Sequence, residues 1–139
     1  DGRVNVLFSY FVRISIGIEI DEWTLEEYGH LKVDLEAHLQ EKRLSLPPDN
    51  IFLFHGDSTD YLLHEKIKKD TGISFNDIDL FYTYLTMYDE YAELIASQAK
   101  KDSVFMVYGL EKILPTLNGF RLLTPKRSIE NILALYQKR

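Results

Sequence analysis

The sequence predicts an α/β fold, a three-layer sandwich on a largely parallel sheet of four or five strands. Three observations carry that expectation. Short apolar runs at residues 51–54, 104–107 and 120–123 read as buried strands. Segments with helical spacing of apolar residues lie between them. The N-terminal stretch alternates apolar and polar residues with the period of a strand.

In that stretch, residues 4–20, Val4, Val6, Phe8, Tyr10, Val12, Ile14, Ile16, Ile18 and Ile20 fall on one face. Arg3, Asn5, Ser9, Arg13, Ser15, Gly17 and Glu19 fall on the other. A strand usually runs about 5–6 residues, so this one is expected to bend at Gly17 or to divide, and to lie antiparallel or at an edge. A helix over 24–44 follows, capped by Thr24, with Glu26 and Glu27 in its first turn. Leu25, Tyr28, Leu31, Leu35 and Leu39 give it a core face, and Pro47 and Pro48 close the region. After the strand at 51–54, His55-Gly56-Asp57-Ser58 reads as a strand-to-helix turn. Ser58 is the expected cap of a helix that runs to about Lys69 and stops at Gly72.

Ser74 and Asp77 have capping-box spacing, which predicts a long helix to about Lys101. It would carry two stripes, one through Ile78, Phe81, Leu85, Tyr88, Ala92, Ile95 and Ala99, the other through Leu80, Tyr84, Met87, Tyr91 and Leu94. The strand at 104–107 comes next, then a helical turn at 110–114 ended by Pro115. Asn118-Gly119 marks a turn before the strand at 120–123. Thr124-Pro125 would open a C-terminal helix with Ile129, Ile132, Leu133 and Tyr136 on one face. The expected order is β–α–β–α–α–β–(α)–β–α, in one domain over residues 1–139.

The composition, 45% hydrophobic and 27% charged over 139 residues, is that of a globular chain. Without cysteine the chain has no disulfide, thiolate metal site or Cys nucleophile. A formal net charge of -6 argues against a non-specific nucleic-acid binder with a basic face. No signal peptide is expected, and the most apolar stretch is short and interrupted by Arg13 and Glu19. The expectation is a soluble, cytoplasmic protein with no membrane partner. The chain opens at Asp1 without Met, as a processed chain or a piece of a larger one would.

In an open α/β sheet, ligands bind at the carboxyl ends of the strands. The polar residues expected there are Glu19, Asp21 and Glu22, then His55, Asp57 and Ser58, then Tyr108 and Glu111, with Asp102 near the start of a strand. Converging carboxylates suit Mg²⁺ or Mn²⁺, hard cations that take oxygen ligands. His55, Asp57 and Ser58 are the residue types of a hydrolase triad, but no G-x-S-x-G elbow carries them. His30, Asp34 and His38 share a helical face, yet the outer two lie about 12 Å apart along the axis, too far for one ion.

Four segments of the C-terminal half, residues 89–94, 99–104, 117–125 and 129–133, resemble the closing half of PIN-domain proteins. That family sets a helix with an Asp before a buried strand and ends in a short Thr-Pro segment. The segment from Ser58 to Glu65 is similar to its serine-started helix with a metal-binding Glu. The resemblance implies Glu65, Asp89 and Asp102 as metal carboxylates. Arg3 stands where the family's opening Asp belongs, and Asp21 is the available substitute; Val107-Tyr108-Gly109 replaces the later T-x-D motif.

Two functions follow as expectations. The first is a non-catalytic binding or regulatory module, a homodimer or the holder of a protein partner, acting through Phe81, Tyr84, Tyr88 and Tyr91 and using no cofactor. The second is a PIN-like nuclease with Asp21, Glu65, Asp89 and Asp102 around Mg²⁺ or Mn²⁺, and a nucleic acid as its substrate.

Overall fold

The computed structural model describes residues 2–85, 87–110, 114–124 and 133–139. It is an α/β structure with a two-stranded parallel sheet and a four-stranded mixed sheet. The chain divides into two units, Asp1–Leu63 and His64–Arg139.

The first unit opens with α1 (Arg3–Ser9), followed by β1 (Ser15–Glu19), α2 (Glu22–Glu41) and β2 (Ile51–His55). The expected strand over 4–20 is thus helix as far as Ser9 and strand only from Ser15. β1 pairs in parallel with β2, from Ser15↔Ile51 to Glu19↔His55, and β2 is only five residues long. Alternation upstream of Ser15 has no partner strand there, so the local pattern yields to a helix whose Ser9 hydroxyl donates to the Val6 carbonyl at 2.7 Å. Of the two placements expected, antiparallel or at an edge, β1 takes the edge, and its pairing is parallel. Asn50 ties the turn down, its side-chain N–H₂ donating to the carbonyls of Ser9 (3.0 Å), Val12 (2.9 Å) and Arg13 (3.3 Å).

The cap of α2 is Asp21 rather than Thr24. Its carboxylate accepts from the Trp23 N–H at 3.2 Å and from the Thr24 hydroxyl at 2.7 Å. The expected core face of α2 is not buried: no residue of the helix is, and Leu31, Val33 and Leu35 stay exposed. The next helix, α3 (Tyr61–Thr71), begins in this unit. Asp60, not Ser58, serves its first turn, accepting from the Leu62 N–H at 2.9 Å. Its end is as expected, with Gly72 left-handed (φ 75) and its N–H on the Lys68 carbonyl at 2.8 Å.

The second unit holds a short 3₁₀ turn (Phe75–Asp77), β3 (Leu80–Tyr84), α4 (Tyr88–Gln98), β4 (Val104–Tyr108), β5 (Phe120–Leu122) and β6 (Leu133–Lys138). The single long helix from 74 to 101 is therefore corrected to turn, strand and helix. The Ser74/Asp77 spacing does make its local bonds, the Asp77 carboxylate accepting from the Ser74 N–H (3.0 Å) and hydroxyl (2.5 Å). Leu-Phe-Tyr-Thr-Tyr is then a β-favouring run, and its apolar density had satisfied a helical stripe equally well.

The C-terminal helix is corrected too: 133–138 is an inner strand of the order β3-β4-β6-β5, antiparallel to both neighbours. Ala134 and Tyr136 alternate into the core, and pairing on two sides outweighs a weak helical stripe. The sheet is accordingly mixed, parallel only at β3–β4. The helical turn expected at 110–114 and the start of the C-terminal helix lie largely outside the described residues.

The core of this unit is aromatic. Phe81, Phe105, Phe120 and Tyr136 are buried with Ile95, Val107 and Ala134. Phe75, Phe81, Tyr91, Phe105, Phe120 and Tyr136 form a continuous chain of rings with centroids 4.9 to 6.5 Å apart, within the range of favourable aromatic pairs. Among the described residues no helix is long and apolar enough to cross a membrane.

Candidate functional site

β1 and β2 run side by side and end together at Glu19 and His55. The two chain ends are laced to each other beyond the sheet. The Gly56 N–H donates to the Glu19 carbonyl at 2.9 Å, and His55 Nε2 lies 3.1 Å from the Ile20 carbonyl oxygen. Glu19 Oε1 accepts from the Asp21 N–H at 3.2 Å, which fixes the carboxylate over the strand end. Burial acts to raise the Glu19 pKa, but backbone N–H groups of Asp21 and Ile20 help pull it below the usual carboxylate range, so the group is anionic at neutral pH.

Beside Glu19 is a small cleft of about 40 Å³ lined by Gly2, Asn5, Gly17, Ile18, Glu19, Leu25 and Leu53. Gly17 keeps it open. A Cβ there would stand 2.5 Å from Leu53 Cδ2 and 2.6 Å from Asn5 Oδ1. Gly2, at φ 72, is held as close to the Tyr28 ring, 2.4 Å from a virtual Cβ. Backbone therefore faces the cleft where any other residue would fill it.

The structure disperses the residues expected at a metal site. Asp21 is committed to capping α2, and its Thr24 hydrogen bond is the main cause of a lowered pKa. Glu65 is exposed on α3, Asp89 on the first turn of α4, and Asp102 in the turn before β4, with φ 68. Among the described residues no group of three or more His, Asp or Glu could hold a metal ion. His38 Nδ1 contacts the Asp34 carbonyl of its own helix at 2.7 Å. Asp57 Oδ1 accepts from the Thr59 N–H and hydroxyl, both at 2.8 Å, and His55 Nε2 faces the Ile20 carbonyl, bonds of a strand-to-helix turn.

The aromatic set expected as an interface divides as well. Phe81 is 2% exposed and belongs to the core, Tyr91 is packed among core rings, and Tyr88 is half-buried. Only Tyr84 is open, 5.8 Å by ring centroid from the exposed Tyr108 at the end of β4. Glu19 and Tyr108 were visible as strand-end residues but not as site residues. The signal for Glu19 is Gly17-Ile18-Glu19-Ile20-Asp21, a glycine two residues before an acidic strand end.

No protein-family model and no curated protein matches the sequence. Solved structures do. yhhF of Escherichia coli, assigned as a methyltransferase, superposes with a TM-score of 0.52 at 12% identity over 93% of this chain. This chain spans 64% of the yhhF chain. HI0767 of Haemophilus influenzae, assigned as a methylase, gives a TM-score of 0.48 at 17% identity, over 94% of this chain and 76% of that one.

The likeness to yhhF corrects the PIN-domain expectation: the architecture is similar to that of a methyltransferase-assigned protein. The nuclease reading falls with it. The expectation of a non-catalytic module is corrected with it: the fold is similar to that of yhhF, described as a methyltransferase, and the likeness is one of fold.

Proposed function

We propose that this chain is the ligand-holding part of a methyltransferase, taking a sulfonium nucleoside of the S-adenosylmethionine type at the carboxyl ends of β1 and β2. The observation that carries the reading is the anionic Glu19 carboxylate beside a glycine-lined cleft, at the end of a parallel strand pair. In dinucleotide-binding folds a carboxylate near a strand's carboxyl end accepts hydrogen bonds from ribose hydroxyls, and Glu19 is offered here in that role. The fold-level likeness to yhhF supports the same class of chemistry.

The cleft offers the edge of the sugar a carboxylate and bare backbone, not room for the whole ligand. Ligand sites run to about 300–1,000 Å³, and this cleft is about 40 Å³. When bound, the donor supplies a methyl carbon that an acceptor's lone pair attacks as the C–S bond breaks and a neutral thioether leaves. The chain's own residues bind and orient. Glu19, fixed by the Asp21 N–H, aligns the sugar, and Gly17 gives the backbone close approach.

The test is thermal unfolding with S-adenosylhomocysteine, the thioether product, for the parent chain and Glu19→Gln. A ligand bound only by the folded state stabilises by about 2.7 kcal/mol at 100 times its Kd. The parent's midpoint rises with ligand concentration and that of Glu19→Gln does not. A parent midpoint that stays fixed up to millimolar ligand overturns the reading.

A further inference from the structure

We propose that Tyr82, Tyr84 and Tyr108 form a binding site for an alkylated ammonium group, the chemistry of a lysine side chain and its methylated forms. Tyr82 and Tyr84 are two residues apart on β3 and so share a face, and Tyr84 pairs in register with Tyr108 on β4. That face is opposite the one on which Phe81, Phe105 and Val107 enter the core. Tyr84 and Tyr108 sit at the carboxyl ends of the molecule's second parallel strand pair, the end where ligands bind on such sheets.

The ring geometry selects a compact cation. The Tyr84 and Tyr108 centroids are 5.8 Å apart with planes inclined at 40°. A flat base slotted between two rings needs parallel faces about 7 Å apart, twice a carbon–carbon contact, and this pair is too close and too inclined. An ammonium needs only to lie within about 6 Å of a ring centroid. Tyr84 is 57% and Tyr108 43% exposed, so their rings are reachable from solvent. Tyr82 is half-buried on the same face of β3, and burial first, then the neighbouring Tyr108 and Tyr84, raises its hydroxyl pKa.

The cluster is also held in place. Gly109 has φ 95, and a Cβ there would lie 3.1 Å from Tyr84 Cε2 and 3.3 Å from Cζ. The Tyr84 ring therefore rests on bare backbone immediately after Tyr108. Asp89 and Glu90, both exposed, open α4 a few residues beyond Tyr84, and the chain carries a net charge of -6. Both features favour a cationic ligand over a polyanion. Reading the cation as a methyl acceptor or product rests on the proposed function; the binding itself does not.

The experiment is an NMR titration of the full chain with choline and with its neutral carbon isostere, dimethylbutanol, repeated on Tyr84→Leu, Tyr108→Leu and Tyr84→Phe. Choline shifts resonances of 82–84 and 107–109 saturably, and the isostere binds several-fold more weakly. Each Leu variant weakens choline by about twofold to fivefold, the range for an exposed cation–π contact, while Tyr84→Phe stays near the parent. Equal affinity for choline and its isostere would overturn the proposal and make the cluster an apolar patch. Unchanged choline affinity in both Leu variants, with parent-like amide spectra elsewhere, would also overturn it. Glu19→Gln keeps choline binding while losing the thioether, so failure of one proposal is told apart from failure of the other.

Discussion

Tyr136→Phe separates the packing of the second unit's core from the hydrogen bond buried within it. The Tyr136 ring is 1% exposed and lies between Phe105, 6.5 Å away, and Phe120, 6.4 Å away, by ring centroids. Its hydroxyl donates to the Pro115 carbonyl at 2.9 Å. Phenylalanine keeps the ring contacts and deletes only that bond. The loss is about 1–2 kcal/mol, one net hydrogen bond plus part of the desolvation of the Pro115 carbonyl left behind. That corresponds to a midpoint lower by roughly 4–8 °C for a chain of this size.

The pH dependence provides a second, independent readout. Burial, helped by the nearby Tyr88, pushes the Tyr136 hydroxyl up to about 12. An unfolded tyrosine titrates near 10. The folded pKa is the higher, so this contribution is complete below about pH 10 and is lost as pH rises from there through 12. The parent thus loses stability steeply on the alkaline side. Tyr136→Phe has a shallower loss, not a flat one, because Tyr91 is also raised by burial and still titrates. The assay is urea unfolding by circular dichroism from pH 7 to 11.5. A variant as stable as the parent at pH 7, with the same alkaline slope, would refute the reasoning.

Other perturbations follow from the same geometry. Asp77→Asn removes the carboxylate held below its usual range by the Ser74 hydroxyl and N–H, with Lys100 and Lys68 adding to the effect. That stabilisation is present above the ordinary Asp pKa and lost as pH falls through the depressed folded value, so the variant's acid unfolding limb is flatter than the parent's. Gly72→Ala meets no atom within 4 Å but must keep φ 75; it costs about 1 kcal/mol by strain alone, read as a lower urea midpoint at unchanged slope. Phe105→Ala empties a fully buried ring position in the aromatic chain and costs about 3–5 kcal/mol.

The legible parts of the fold were those where local chemistry and tertiary pairing agree. β2, β4 and β5 are short apolar runs bounded by turn residues, and Gly72 stops its helix because only a left-handed residue fits there. The misread parts were those where one pattern served two structures. Val4 to Tyr10 alternates as a strand does, but a five-residue partner at β2 leaves it nothing to pair with. Residues 80–84 and 133–138 carry enough apolar side chains to satisfy a helical stripe, and only neighbours at β4 and β5 decide for strand.

The site was half legible for a related reason. Glu19 lies among many acidic residues, and what marks it is its pairing opposite His55 and the open backbone at Gly17, both set by register rather than by composition. Tyr84 was legible as a binding residue, though on a helical stripe, and its partner Tyr108 comes from another strand. The four carboxylates grouped by resemblance belong to separate elements, and no motif spacing could have told that.

The most direct test of the central claim is equilibrium dialysis of the chain against methyl-labelled S-adenosylmethionine, with Gly17→Val beside the parent. Valine fills the cleft next to Glu19, where even a Cβ would meet Leu53 and Asn5. The account predicts saturable retention of label by the parent, displaced by the unlabelled thioether product, and loss of retention in the variant. Equal counts on both sides of the membrane for the parent would contradict it.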